Sequence, residues 1–333
     1  MQLVDQLRPV SQAQFQQIRT APRTAEAHSQ LMQQIEAMQD MEQGGQGTLP
    51  ALPRQFTVAA WNIERGLDPV GIAAALRPHA PAVVLLSEAD KGMARTHQRD
   101  VTADIAAELN MHYLYGVEFL ELGLGSDQEQ ARSLENRNAL GFHGNAVLSC
   151  TPIVRASLVR LYDGGHWFQI GPDSAGDLSQ PRIGDRMAIL AELATEAGPI
   201  CVASLHLESN AEGPFRAVQF DRLMDAIDQF APDLPVIIGG DLNTGNTSYP
   251  DFDWRGEELF QIAGVRGYSW AGTPDGMTTR PSLLSPKPKG AMKLDWFAHR
   301  GLTAAPVGVM PALDTHGTPL SDHDAIMCGV DMG

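Results

Sequence analysis

Short apolar runs that stop at a carboxylate, an amide or an imidazole constrain this chain more than any other feature. Trp61 is followed by Asn62 and Glu64, Leu86-Ser87 by Glu88, and Leu205 by His206. Ile237-Ile238-Gly239-Gly240 runs into Asp241 and Asn243, and Leu294 into Asp295. Leu320 leads into Ser321-Asp322-His323 just before another apolar run. A buried run that carries a polar group at its tip loses hydration energy unless that group meets a cation or another polar partner. One such tip is ordinary. Six of them, all oxygen donors or imidazoles, predict one convergent polar pocket.

The runs read as strands: Phe56–Trp61, Ala82–Ser87, Ala146–Ser149, Met187–Leu190, Ile200–Ser204, Val236–Ile238, Leu294–Phe297 and Ala325–Met327. Helical stretches intervene at Val70–Leu76, Val101–Leu109 and Pro214–Phe230, the last with an apolar stripe of Phe215, Val218, Leu223 and Ile227. Strands and helices mixed along one chain specify an α/β or α+β body. The chain has 333 residues, 43% of them hydrophobic, enough for a substantial core. Length alone would divide it into domains of ~150 residues. The polar tips, however, run from Trp61 to His323 as one set.

Residues 1–54 differ from the rest. They are rich in Gln, Ala and Met, and Thr24 is expected to cap a helix running to about Glu42, with Leu31, Ile35 and Met38 on one face. A weaker helix is expected around Gln12–Ile18. Gly44, Gly45 and Gly47, followed by Pro50 and Pro53, read as a linker. The expected organisation is an N-terminal helical arm and linker over 1–54 and a single body over 55–333. Long loops are expected at Gly123–Asn136, Asp163–Asp185 and Ser269–Gly290.

Several function classes lose their support. Lys and Arg total 24 against 40 Asp and Glu, a net charge of −16. That balance disfavours non-specific wrapping of nucleic acid, but it leaves a nucleic acid substrate open because a metal can supply positive charge locally. The three cysteines, Cys150, Cys201 and Cys328, form neither a CxxC pair nor an even framework, and are expected to be buried free thiols. No apolar run reaches the ~20 residues of a membrane span. Met1–Arg8 lacks a basic region followed by an apolar one, so a cytoplasmic protein is expected. Phosphate-loop, HExxH and dinucleotide-binding glycine motifs are absent, and Gly267–Gly272 carries Ala271 where a serine-hydrolase elbow needs glycine. Asn, Asp and Glu oxygens without cysteine favour Mg2+ or Mn2+ over zinc. His206 and His323 are suited to proton transfer, and Asp295 or a similar acid to orienting one imidazole. This inventory fits metal-assisted hydrolysis of a phosphoester.

The ordered set Trp61-Asn-Ile-Glu64, Leu86-Ser-Glu88, Gly144-Asn-Ala-Val-Leu-Ser149, Ser204-Leu-His206, Gly240-Asp-Leu-Asn243, Leu294-Asp295 and Ser321-Asp-His323 resembles the endonuclease/exonuclease/phosphatase superfamily, the deoxyribonuclease I-like fold. The resemblance runs from about Phe56 to Val330. It implies a two-sheet α/β sandwich with the site at one edge between the sheets, here with an N-terminal helical extension. It also implies a divalent-metal phosphoester hydrolase, with 55–333 as its catalytic domain. Glu88 matches the principal metal ligand, supported by Asn62 and Glu64, with Asp322 as a second metal or structural carboxylate. Glu64 stands where the repair-nuclease branch commonly has Asp. Asp241 and Asn243 match the pair that handles the attacking water and holds the phosphate. Asp295 and His323 resemble an acid–imidazole dyad, and His206 a phosphate-facing imidazole. Arg186 stands where the family often has Arg, a phosphate contact or a structural ion pair. Asn145 is expected close to the site, as substrate contact or scaffold, and Trp270 as a stacking surface or packing. Arg216 and Gln219 fit a common pattern on the helix after His206, whereas Arg95 and His97, in the loop after Glu88, are expected to border the pocket or, by default, to be solvated loop. A small or lipid-derived phosphodiester is the favoured substrate. The alternatives are a DNA or RNA nuclease and a non-catalytic scaffold of the same fold.

Overall fold

Each expected strand forms, and most extend beyond their apolar run because the polar tip is paired as well. The computed structural model describes residues 1–163, 182–288 and 290–333. Its strands are β1 (Leu3–Val4), β2 (Met41–Gly45), β3 (Gln55–Arg65), β4 (Val83–Lys91), β5 (His112–Glu121), β6 (Phe142–Ser149) and β7 (Ile153–Arg160). They continue with β8 (Arg182–Gly184), β9 (Met187–Thr195), β10 (Gly198–His206), β11 (Val236–Asp241), β12 (Asp295–Arg300), β13 (Thr303–Met310) and β14 (Ala325–Asp331). The helices are α1 (Gln12–Thr20), α2 (Ala25–Gln34), α3 (Pro69–Leu76), α4 (Val101–Leu109), α5 (Asp127–Gln130), α6 (Gly213–Phe230) and α7 (Leu259–Val265). Among the described residues no helix is long and apolar enough to cross a membrane.

One sheet runs β1-β2-β5-β6-β4-β3-β14-β13, with β8 also on β5, and the other runs β12-β11-β10-β9-β7. Their facing surfaces share one core, in which Val58, Leu85, Val147 and Ile326 meet Ile189, Val202, Ile237 and Phe297. The outer face of the first sheet is covered by α1 to α4 through Ile18, Leu31, Ile72 and Ile105. The outer face of the second is covered by α6 and α7 through Phe220, Leu223, Ile227 and Leu259. The result is the expected two-sheet α/β sandwich with helices near its N-terminus. Cys201 and Cys328 are buried free thiols, while Cys150 is only partly buried.

The N-terminal segment departs from expectation. Thr24 caps α2, but the helix stops at Gln34, where Ile35 turns extended with φ −92° and ψ 101°. Of the glycines read as a linker, Gly44 and Gly45 instead lie in β2, antiparallel to β5, and Gly47 follows the strand. A Cβ on Gly44 would sit 2.7 Å from the Tyr113 ring, so glycine there permits close approach to β5. Strand β5 itself had no clear sequence signal, because its residues are buried on both faces and show no alternation. Residues 164–181 of the expected loop Asp163–Asp185 lie outside the described residues.

Gly144 marks where the first sheet tolerates no side chain. A Cβ there would lie 1.9 Å from the Gly116 carbonyl oxygen, a backbone atom that cannot turn aside. Gly144→Ala is therefore expected to cost about 1–3 kcal/mol, read as a lower urea midpoint at an unchanged slope.

Candidate active site

Strand register gathers half of the site. Parallel pairing of β10 with β11 sets His206 beside Asp241, and antiparallel pairing of β11 with β12 sets Asp241 beside Asp295. Three tips from distant parts of the sequence thus form one row. The opposite sheet supplies Asn62, Glu64 and Glu88 where β3 and β4 break register. Glu64, Arg65 and Glu88 take left-handed conformations with φ of 42°, 77° and 59°. Such backbone is costly for residues with a Cβ and clusters at functional sites.

Hydrogen bonds join the two halves. Asn62 Nδ2 donates to Glu88 Oε1 at 3.1 Å and to Asp241 Oδ2 at 3.0 Å. The Glu64 amide donates to Asn62 Oδ1 at 3.1 Å and fixes the orientation of that side chain. Ser282 donates to Glu64 Oε1 at 2.6 Å. Trp61 Nε1 donates to the His323 carbonyl at 2.7 Å, and Ser321 Oγ to the Asn62 carbonyl at 2.6 Å. The segment holding Asp322 and His323 is thereby tied to β3. His323 Nδ1 lies 2.8 Å from Asp295 Oδ2, and its Nε2 lies 3.6 Å from Asp241 Oδ2.

The Asn243 amide donates to Asp241 Oδ1 at 2.8 Å, and the Asn243 side chain donates to the Leu207 carbonyl at 3.1 Å. His206 Nε2 lies 3.5 Å from Asp241 Oδ2, and Arg186 Nη1 donates to His206 Nδ1 at 2.8 Å. Arg186 is also paired with Glu118 at 2.7 Å and Glu208 at 3.2 Å. Glu88, Arg186, His206, Asp241, Asn243, Asp322 and His323 all line one cavity of about 1550 Å³.

Burial, and then the Asp322 carboxylate, push Glu64 up to about 8. Burial also raises Asp322, reinforced by Glu88. Burial opposes ionisation of Glu88, yet Arg65 and His206 hold it well below the usual carboxylate range. Burial likewise opposes a charged His323, but Asp295 and Asp241 raise that imidazole well above its ordinary value.

Asp241, Asp295 and His323 bring three ligand atoms within 4.8 Å of one another. His323 Nδ1 is already engaged by Asp295 at hydrogen-bond distance, so this trio is an oriented dyad facing a carboxylate better than a cation cage. Glu88, Glu64 and Asp322 offer carboxylate oxygens of the kind a hard divalent cation takes, while Asn62 turns its Nδ2 toward Glu88 and Asp241. Burial and the Asp322 carboxylate disfavour Glu64 as an anion, and burial and Glu88 disfavour Asp322, a repulsion that such a cation would relieve.

Asn145 and Trp270 lie further back. Asn145 is fully buried, donates to the Met187 carbonyl at 2.9 Å, and does not line the cavity. Trp270 packs against Phe260 at 4.8 Å and Phe220 at 5.5 Å on the outer face of the second sheet, and it does not line the cavity either. Gln219 accepts from the Glu208 amide at 2.9 Å, and Arg216 pairs with Glu257; both brace the loop after His206. Arg95 is not solvated loop. It is 2% exposed and bonds Asp90, Glu121 and Glu129, whereas His97 is exposed.

Sequence reasoning missed Arg65, which pairs with both Glu88 and Glu129. It also missed Glu118 and Ser282. The signal for Glu118 was an acid inside the apolar run of β5; Arg65 and Ser282 offered none beyond residue type.

An α/β sandwich whose two sheets converge on a row of acids and imidazoles is the architecture of a phosphoester-processing family. Residues 59–323 match the Endonuclease/Exonuclease/phosphatase family, and the chain belongs to it. An endonuclease/exonuclease/phosphatase from Beutenbergia cavernae DSM 12333 superposes with a TM-score of 0.57 at 21% identity, over 84% of this chain and 72% of that one. The human Nocturnin catalytic domain with bound sulfate gives 0.55 at 16% identity, over 87% and 97%. D. rerio TDP2 complexed with a single-strand DNA product gives 0.52 at 17% identity, over 83% and 98%. At these identities the likeness is one of fold. No curated protein matches the sequence.

Proposed function

We propose that this chain is a divalent-metal-dependent hydrolase of phosphoester bonds, acting on a small or lipid-derived phosphodiester. The observation that carries the reading is Asn62 bridging Glu88 and Asp241 across the two sheets, with the Asp295–His323 pair against the same Asp241. Glu88, with Asn62, Glu64 and Asp322, would hold Mg2+ or Mn2+. Such an ion, when bound, supplies Lewis-acid polarisation and charge neutralisation at a phosphoryl oxygen.

The remaining work falls to the protein. Asp241, oriented by the Asn62 side chain and the Asn243 amide, positions the attacking water. The Asp295–His323 pair faces the same carboxylate through Nε2 of the imidazole, and the proton of that water passes to this acid–imidazole group. His206 sits beside Asp241 and is braced by Arg186, so it faces the charge that develops on phosphorus-bound oxygen. Asn243 donates one N–H to Leu207 and keeps the second for a phosphoryl oxygen. Preorganised donors of this kind act without reorganisation at the moment of reaction.

Phe119, Tyr162, Phe215, Leu284 and Met292 also line the cavity. Together with the net charge of −16, this apolar surface supports a substrate with an organic or acyl group over long duplex DNA.

The test is a panel of bis-p-nitrophenyl phosphate, p-nitrophenyl phosphate, single-stranded DNA and sphingomyelin, each with Mg2+, Mn2+ or EDTA. Turnover of bis-p-nitrophenyl phosphate or sphingomyelin is expected with either metal, abolished by EDTA and restored by re-adding metal. Cleavage of DNA alone would favour a nuclease. Silence on every substrate with both metals would leave the scaffold reading.

A further inference from the structure

Among the described residues, Arg182 on the cavity wall makes no ion pair. Arg182 opens β8, and strand register places it opposite Glu121. Its guanidinium lies 4.0 Å from the centroid of the Phe119 ring, which Arg186 also approaches at 5.4 Å. Phe119, Arg182 and Arg186 all line the cavity that contains Glu88, His206 and Asp241.

The acids around Arg182 are committed elsewhere. Glu121 bonds Arg95 at 2.7 Å and 3.1 Å. Glu118 and Glu208 bond Arg186 at 2.7 Å and 3.2 Å. Arg182 itself makes no ion pair among the described residues, although it is only partly exposed. Burial, and then the neighbouring Arg186, work against its charge, and Glu121, Glu208 and Glu118 offset them only in part. A partly buried guanidinium without an acid is costly to keep, and one stacked on an aromatic face keeps its planar fork of donors for a ligand. Arg186 is held by two acids and bonds His206 and Ser209, so its donors are engaged by the protein. Arg182 flanks it on the same ring.

We propose that Arg182 binds a second phosphoryl group of the substrate, so that the site selects phosphodiesters carrying an additional phosphate. The assignment deepens the hydrolase reading above and rests on it. Arg182 acts in recognition, and its loss should change selectivity between anionic ligands more than it changes the chemical step.

The probes are α,ω-alkane bisphosphates of increasing chain length, each compared with the n-alkyl monophosphate of equal length. Each is measured as a competitive inhibitor of bis-p-nitrophenyl phosphate hydrolysis by the full chain, and by calorimetric titration in Mg2+. At one chain length the bisphosphate is expected to bind at least tenfold more tightly than its monophosphate. Arg182→Gln should remove that advantage, and Arg182→Lys should keep part of it, showing that charge at this position and not altered folding is read.

The proposal is overturned if no bisphosphate outperforms its monophosphate, or if the advantage survives Arg182→Gln. Calorimetry separates the two readings: a chain that binds bisphosphates through Arg182 yet hydrolyses nothing would sink the hydrolase assignment and leave the recognition site standing.

Discussion

Asp241→Ala is expected to lower turnover of bis-p-nitrophenyl phosphate by a hundredfold or more, with little change in the unfolding midpoint. Its carboxylate meets four members of the candidate site. Asn62 donates to Asp241 at 3.0 Å, the Asn243 amide donates to it at 2.8 Å, and the imidazoles of His206 and His323 lie 3.5 Å and 3.6 Å away. Removing the carboxylate takes away the group proposed to position water and the anion that both imidazoles face. Loss of one preorganised catalytic contact typically costs about 10²–10³ in rate. His323→Ala should fall in the same range, because Asp295 then has no imidazole to orient. The double variant should be scarcely worse than either single one, since residues acting as a unit are strongly non-additive. Initial rates at saturating Mg2+ check all three enzymes. Full activity in both single variants would remove Asp241 and His323 from the reaction.

The row His206, Asp241, Asp295 was legible in the sequence because apolar runs set strand ends, and strand ends set which polar groups face each other. The same logic exposed Asn62, Glu88 and His323. It failed where burial hid the period. Strand β5 is buried from Tyr113 to Glu121, so its alternation carried no signal, and Glu118 beneath His206 was lost with it. Trp270 failed for another reason. An aromatic residue next to a loop reads alike whether it stacks on a ligand or on Phe260, and only the tertiary packing decides between them. Gly44 and Gly45 read as linker because glycine is a loop former by propensity, whereas β2 uses Gly44 to bring its backbone against Tyr113. Arg95 read as surface because a lone arginine usually is one. Its partners, Asp90, Glu121 and Glu129, lie on two strands and a short helix whose proximity no local pattern announces.

That arginine carries the largest expected effect on stability. Arg95→Met should lower the free energy of unfolding by about 3–5 kcal/mol, the usual result of removing one partner from a buried ionic cluster. The apolar replacement fills much of the volume, so the loss reports charge and not a cavity. Asp90 holds the guanidinium through two oxygens, at 2.7 Å and 2.8 Å, while Glu121 and Glu129 bond Nη1 at 2.7 Å and 2.9 Å. All three acids are almost inaccessible. Arg95→Lys should recover only part of the loss, because an ammonium cannot reproduce the planar fork.

The deficit should also depend on pH. Burial raises Glu129, but Arg65 and Arg95 outweigh it and bring this carboxyl down to about 2 from 4.5. A depressed acid adds stability that is complete above its unfolded value and is lost as pH falls through the folded one. Without Arg95 the depression shrinks. The gap between wild type and variant should therefore be widest above pH 5 and narrow between about 4.5 and 2, as measured by urea unfolding across that range. Because Arg65 joins Glu129 to Glu88, the cluster also braces the candidate metal ligand, and Arg95→Met should weaken activation by Mg2+ at temperatures where the variant is still folded. A variant that loses less than about 1 kcal/mol would mean that the cluster is replaceable and that Glu88 is positioned by Arg65 and Asn62 alone.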